Sequence, residues 1–214
     1  NFNTDLEGDG AFICQNSWGD NFGENGFFYI SYYDTNIGTH NVVYTDIENT
    51  DNYDHIYQSD LCGWVGQLGY NKDSIYGANV FTAEGNETLK AASFYATGKD
   101  SQYELYVVRQ FEDETSLEKM IPVASGKLGN AGYYTVDFNQ GIEVDAGERY
   151  AVVLYIITPG SVHPMAIEYA ADEATENVDL DDGESYISAN GSKWVSVDTV
   201  EKSNLCIKAF SDNR

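Results

Sequence analysis

Between Ala78 and Phe210 one pattern recurs: a short run of β-branched and aromatic residues, usually closed by a Gly, Asn or Asp cluster. The runs are "ANVFTAE", "TLKAASFYA", "QYELYVVRQF", "GYYTVDF", "RYAVVLYII", "PMAIEYA", "ESYISA" and "NLCIKAF". Side chains alternate along a strand. In "QYELYVV", Tyr103, Leu105 and Val107 therefore share one face, and Glu104 and Tyr106 share the other. Strands this short and this regularly spaced predict a mainly β chain folded as an antiparallel β-sandwich of jelly-roll type. Asp145-Ala146-Gly147 reads as the turn between two of them. Only Glu112–Met120 offers a helical turn or two. "ADEATENVDLDDGE", from Ala171 to Glu184, reads as an acidic loop.

Charge narrows the range of partners. The 214 residues carry 35 Asp and Glu against 11 Lys and Arg, a net charge of -24. Such a surface repels nucleic acid and anionic membrane, and no run is apolar enough for a membrane span. The first base is Lys72, so the acids before it have no local counter-charge. That segment must face solvent, bind cations or meet a basic partner.

Ahead of the sandwich, Gly10–Gln15 and Phe27–Tyr33 read as strands flanking a Gly-rich turn from Asn16 to Gly26. Two strands are marginal alone in water. The stretch Tyr44–Asp60 is acidic, has no clear period and reads as a connector. An asparagine such as Asn16 can accept a hydrogen bond from an imidazole N–H and fix its tautomer, the third role in a Cys-His-Asn system. A neighbouring Trp18 could exclude water from that bond. The simpler reading of these few residues is an ordinary hairpin turn.

The longer stretch "NSWGDNFGENGFFYISY" resembles the C-terminal motif of papain-like cysteine peptidases, over Asn16 to Tyr29. "GDGAFIC" fits the strand before it. The resemblance implies that Asn16 orients the catalytic histidine, that Trp18 shields that bond, and that Gly19, Gly23, Glu24 and Gly26 form the following turn. Phe22 stands where many members have Trp, and Phe27 where many have Tyr. The family's nucleophilic cysteine and its histidine precede this asparagine. His40, His55 and His163 all follow it, and Cys14 is misplaced for the nucleophile. Both groups are therefore expected upstream of Asn1, and the chain alone is expected to cleave no peptide bond. Protein or peptide substrate would be bound by that upstream peptidase half, and catalysis needs no cofactor.

Residues 53–212, from "YDHIYQSDLCGWVGQLGY" to "NLCIKAF", resemble the lectin-like β-sandwich appended to papain-like peptidases of bacterial cell surfaces. This implies two parts, a C-terminal portion of a peptidase domain over 1–50 and a lectin-like domain over 53–212, on a secreted or cell-surface protein. Two other roles remain open: binding cell-wall polysaccharide or surface proteins, or stabilising the peptidase.

Calcium is compatible with the charge and with the resemblance, with its ligands unassigned. "DLEGDG", Asp5 to Gly10, imitates half of a calcium loop, but Asn16 stands where the bidentate Glu belongs. The oxygens of Asp179–Glu184 could join a calcium site, although a solvated turn is the simpler reading. Trp64, Trp194 and the tyrosines could form a sugar-stacking platform, although core packing explains them more simply. Of the three cysteines, Cys62 and Cys206 could pair, while burial as a small apolar side chain is the simpler expectation for each.

Overall fold

The computed structural model describes residues 10–38, 42–45 and 47–214. The chain divides into one unit within residues 1–49 and a second over 50–214. Asp5–Asp9 of the calcium-loop imitation, and His40, lie outside the described residues.

In the first unit, β1 (Ala11–Gln15) pairs antiparallel with β2 (Phe27–Ser31), with Ala11 opposite Ser31 and Gln15 opposite Phe27. Both strands follow the aromatic and β-branched runs of the sequence. The intervening loop turns through positive φ at Gly23 (66°), Asn25 (54°) and Gly26 (87°). At Gly23 a side chain is impossible without rebuilding, because a Cβ would sit 2.1 Å from the Phe27 carbonyl oxygen.

The second unit contains β3 (His55–Tyr57), β4 (Gly66–Leu68), β5 (Ser74–Thr82), β6 (Glu87–Ala96), β7 (Ser101–Val108), β8 (Ile121–Leu128), β9 (Gly132–Val144), β10 (Arg149–Ile157), β11 (Met165–Glu168), β12 (Ser185–Ser188), β13 (Val195–Ser196), β14 (Asn204–Leu205) and β15 (Ile207–Asn213). They form a six-stranded sheet ordered β13-β12-β5-β10-β7-β8, a four-stranded sheet ordered β3-β15-β6-β9 and a three-stranded sheet ordered β14-β11-β4. Every pairing is antiparallel. The chain is mainly β, as its alternating runs require.

The main core lies between these sheets. Leu105, Val107, Val152, Leu154 and Ile156 meet Leu89, Phe94, Phe138 and Ile207, with Met165, Ile167 and Leu205 closing one side. Central β10 is buried on both faces: Ala151 and Val153 point away from that core onto Phe111 and Leu117. This explains why "AVVLYII" is apolar almost without interruption. Phe111 and Leu117 come from the segment after β7. Its 3-10 turn, Glu114–Glu118, is capped by Asp113, whose carboxylate accepts from the Thr115 N–H at 3.0 Å. The Asp145-Ala146-Gly147 turn closes no hairpin. It carries the chain from β9, at the edge of the four-stranded sheet, to β10 in the middle of the six-stranded one.

Two expectations need correction. The connector Tyr44–Asp60 contains β3, which adds to the edge of β15 with Tyr57 opposite Ala209. Three residues carry no readable period, so only the neighbouring strand reveals it. Cys62 and Cys206 do not pair, for all three cysteines are free. Cys206 is buried where the chain passes from β14 to β15, whereas Cys62 is exposed in the turn closed by the Gly63 N–H on the Asp60 carbonyl. The small-buried-residue expectation therefore holds for Cys206 and fails for Cys62.

Candidate functional site

Asn16 follows β1 directly and opens the loop to β2. Its backbone N–H donates to the Gly26 carbonyl at 2.9 Å. Its side-chain Nδ2 donates to the same carbonyl at 2.9 Å and to the Phe22 carbonyl at 3.4 Å. Its Oδ1 accepts the Trp18 N–H at 2.6 Å. Donors and acceptors on opposite sides fix which amide atom is oxygen. Both amide hydrogens are thus committed to the loop. Among the described residues only the Trp18 N–H donates to Oδ1, so one of its lone pairs is left to receive an outside N–H donor.

The loop that holds Asn16 is itself tied at its far end. Gly26 N–H donates to Phe22 at 3.0 Å, Glu24 N–H to Phe27 at 2.7 Å, and Phe27 N–H back to Glu24 at 3.2 Å. Above it the rings form an edge-to-face series. Trp18 meets Phe22 at 5.1 Å between centroids, and Phe22 meets Phe28 at 5.6 Å. Trp18 remains 76% exposed. An indole this open has a face free to cover a neighbouring group. Sequence reasoning singled out Asn16 and Trp18 but not the Phe22 and Gly26 carbonyls, because backbone acceptors leave no mark in residue identity.

Elsewhere, the residues flagged from sequence scatter. Trp64 packs on Tyr95, which belongs to the four-stranded sheet, at 5.7 Å. Trp194 stands edge-on to Tyr76 of the six-stranded sheet at 6.2 Å. The two tryptophans therefore do not build one platform. His55 lies 3.0 Å from Asn213 and 3.5 Å from Glu84 within the sandwich. His163 only precedes β11, its N–H on Ser161 Oγ. The Asp179–Glu184 turn folds back on itself through Asp181 N–H to Asp179 Oδ1 at 3.0 Å. It also reaches Asn204, whose Nδ2 touches the Asp179 carbonyl and Asp182.

Fold and site together define an antiparallel β-sandwich preceded by a separate Asn-Ser-Trp-Gly hairpin. Residues 56–211 match the family model described as the lectin like domain, and the chain belongs to that family. Solved structures share the fold. One is the clostridial cysteine protease Cwp84 after propeptide cleavage, with a TM-score of 0.78 and 25% identity, covering 99% of this chain and 54% of that one. Another contains the cysteine protease and lectin-like domains of Cwp84, a surface layer associated protein of Clostridium difficile. It has a TM-score of 0.72 and 22% identity, covering 99% of this chain and 48% of that one. The chain thus spans about half the length of those solved chains. No curated protein matches it. No helix among the described residues is long and apolar enough to cross a membrane.

Proposed function

We propose that this chain is the C-terminal part of a papain-like cysteine peptidase of a bacterial cell surface, with a lectin-like domain attached. In the intact enzyme an upstream thiolate attacks the peptide carbonyl and an upstream histidine moves the proton. Asn16 is a positioning residue. Its free Oδ1 lone pair accepts the imidazole N–H, and Trp18 covers that bond. The observation carrying this reading is the locked Asn16 amide, whose hydrogens are already used by Gly26 and Phe22. Pre-organisation of that kind costs nothing further when the histidine docks. The similarity to solved cysteine protease chains over nearly the whole length supports it.

The test uses the full-length enzyme with Asn16→Ala and Asn16→Gln. Losing a hydrogen bond to a charged imidazole is worth about 1.5–3 kcal/mol, so kcat/KM falls roughly tenfold or more. The pH profile shifts with it, because the thiolate–imidazolium pair loses a partner. An unchanged profile in Asn16→Ala overturns the role. The isolated 214-residue chain is inactive; thiol-dependent cleavage by the pure chain overturns the assignment of nucleophile and base to upstream residues.

One observation favours a second role beside the first. On the six-stranded sheet a cleft of about 390 Å³ gathers Gln102, Glu104, Lys127 and Tyr155, an amide, a carboxylate, an amine and a ring suited to sugar hydroxyls and pyranose faces. Binding of wall polysaccharide that is lost in Glu104→Ala supports this. A glycan panel with no binding leaves the sandwich as a stabilising appendage.

A further inference from the structure

The outer face of the six-stranded sheet is covered over one half only, where Phe111 and Leu117 pack on Ala78, Val80, Ala151 and Val153. Side chains alternate along β10, so Tyr155 shares the face of Ala151 and Val153 beyond that cover. Four residues in direct register cross the open half: Tyr76 of β5, Tyr155 of β10, Glu104 of β7 and Ser125 of β8. Residues opposite one another in antiparallel strands lie on one face and interact there. The Tyr76 and Tyr155 rings stack at 4.2 Å between centroids, 21° from parallel. Tyr76 is backed in turn by Trp194, edge-on at 6.2 Å, and by Gly191, where a Cβ would lie 3.1 Å from its ring. The Tyr155 ring is thus braced from the β5 side. β7 and β8 lie on the other side of β10. The second face of the ring therefore turns to the cleft of about 390 Å³ that Tyr155 lines with Gln102, Glu104, Ser125 and Lys127.

Charge decides which ligand suits this cleft. Lys127 is answered by Asp100, 3.5 Å away. Glu104 joins no ion pair among the described residues. The Tyr106 hydroxyl donates to Glu104 Oε2, and Oε1 has no hydrogen-bond partner among the described residues. The cleft thus sets a ring face beside an uncompensated carboxylate, on a chain of net charge -24. An anionic polymer is repelled by that field. A sugar hydroxyl can donate to Glu104, but an ammonium forms a charge-assisted bond roughly twice as strong. A cation close to the tyrosine face gains further from the ring quadrupole.

We propose that the cleft takes an amino sugar with a free amine, a hexosamine unit of a de-N-acetylated polysaccharide. The pyranose face lies on Tyr155, the ammonium meets Glu104 Oε1, and hydroxyls reach Gln102 and Ser125. Acetylation of that amine removes its charge and adds bulk where Glu104 stands, so an N-acetylated chain binds less well. The inference rests on the sugar-binding reading of this cleft and adds which sugar it prefers. It is independent of any peptidase role.

The experiment titrates the 214-residue chain by calorimetry with soluble tetramers of glucosamine, N-acetylglucosamine and glucose. Salt at about 0.15 M screens diffuse attraction. Saturable binding of the glucosamine tetramer is expected, at least about tenfold tighter than that of either other tetramer. Glu104 is exposed, so Glu104→Gln leaves the fold intact. It should erase the preference and leave affinity for the other two tetramers within about twofold. Tyr155→Ala should weaken all three, and Tyr155→Phe, which keeps the ring, should not. Glu118→Gln removes an exposed charge outside the cleft and should change nothing. Equal effects of the Glu104 and Glu118 variants would mean diffuse attraction to a chain of net charge -24, and overturn the site. Equal affinity for the acetylated and free-amine tetramers, still lost in Tyr155→Ala, overturns the amine preference and leaves the sugar-binding reading standing. Absence of binding by every tetramer overturns both.

Discussion

The Tyr57 hydroxyl donates to the carboxylate of Glu87, 2.8 Å from one oxygen and 2.9 Å from the other, and so joins β3 to β6 across the intervening β15. Glu87 is completely buried, and Ser211 Oγ and the Gly85 N–H donate to it as well, at 2.6 and 2.8 Å. His55 stands beside the cluster, 4.0 Å from Glu87.

This cluster sets a pH window. Burial pushes the Glu87 carboxyl upward, but the donors Ser211, Tyr57 and Gly85 together prevail and hold it below the ordinary 4.5. A lowered carboxyl stabilises the fold above the unfolded value, and that stability is lost as pH falls through the folded value. His55 lies above its ordinary 6.5, chiefly through its bond to Asn213, with the negative charge of Glu87 and Glu84 adding to it. Its contribution is complete below 6.5 and fades as pH rises through the folded value. Urea midpoints should therefore be highest between about pH 4.5 and 6.5 so far as this cluster decides. Glu87→Gln should flatten the acid limb and lower stability by about 1–3 kcal/mol. An acid limb identical to the parent's rules the cluster out as its cause.

Asn79 on β5 should be as costly to replace. Its Nδ2 donates to the Leu205 carbonyl at 2.9 Å and the Ile207 carbonyl at 2.8 Å, and its Oδ1 accepts from Ser185 Oγ at 2.7 Å. Leu205 ends a strand of the three-stranded sheet and Ile207 begins one of the four-stranded sheet. Asn79 thus satisfies the backbone where the chain changes sheets. Asn79→Leu keeps the volume and strands two buried carbonyls, for a loss of about 2–4 kcal/mol. The urea midpoint should drop with an unchanged slope. A loss under about 0.5 kcal/mol would mean that the carbonyls find other donors.

The strands that were legible are those with enough length to show a period. β10 is marked by its unbroken apolar run from Tyr150 to Ile157, and β7 by Leu105 and Val107 alternating with Glu104. β8, "IPVASGKL", escaped notice because Pro122, Gly126 and Lys127 argue against a strand. It lies at the edge of its sheet, where one unpaired side tolerates them. β3, β4 and β13 have two or three residues and exist only by pairing with longer neighbours. The candidate site divides the same way. Asn16 was visible as a side chain within a motif. The Phe22 and Gly26 carbonyls that hold its amide are backbone, so nothing in residue identity marks them.

Two glycines of the Asn16 loop should differ sharply. Gly19→Ala meets nothing within 4 Å and carries only the strain of φ 91°, about 1 kcal/mol. Gly23→Ala drives a Cβ into the Phe27 carbonyl and must open the Glu24–Phe27 bridge. Hydrogen exchange of the Asn16 side-chain amide should be little changed in the first variant and much faster in the second. Equal exchange in both would show that the bridge does not hold Asn16.

The cysteines give the last contrast. Burial, and then the negative charge of Asp60 beside it, pushes the Cys206 thiol far above its ordinary range, and the residue is only 2% exposed. Reaction requires a thiolate and access, and Cys206 has neither. Cys62 is exposed, and Cys14 is half-buried on β1 opposite Phe28. Brief maleimide treatment of the native chain should label Cys62 first and Cys206 only after unfolding, with the sites read by peptide mass. Air oxidation of the native chain should yield no Cys62–Cys206 disulfide, because the Cys206 thiol is buried and held un-ionised. Early labelling of Cys206 would show that β15 opens under native conditions, and would weaken the placement of Asn79 as the residue that holds its start.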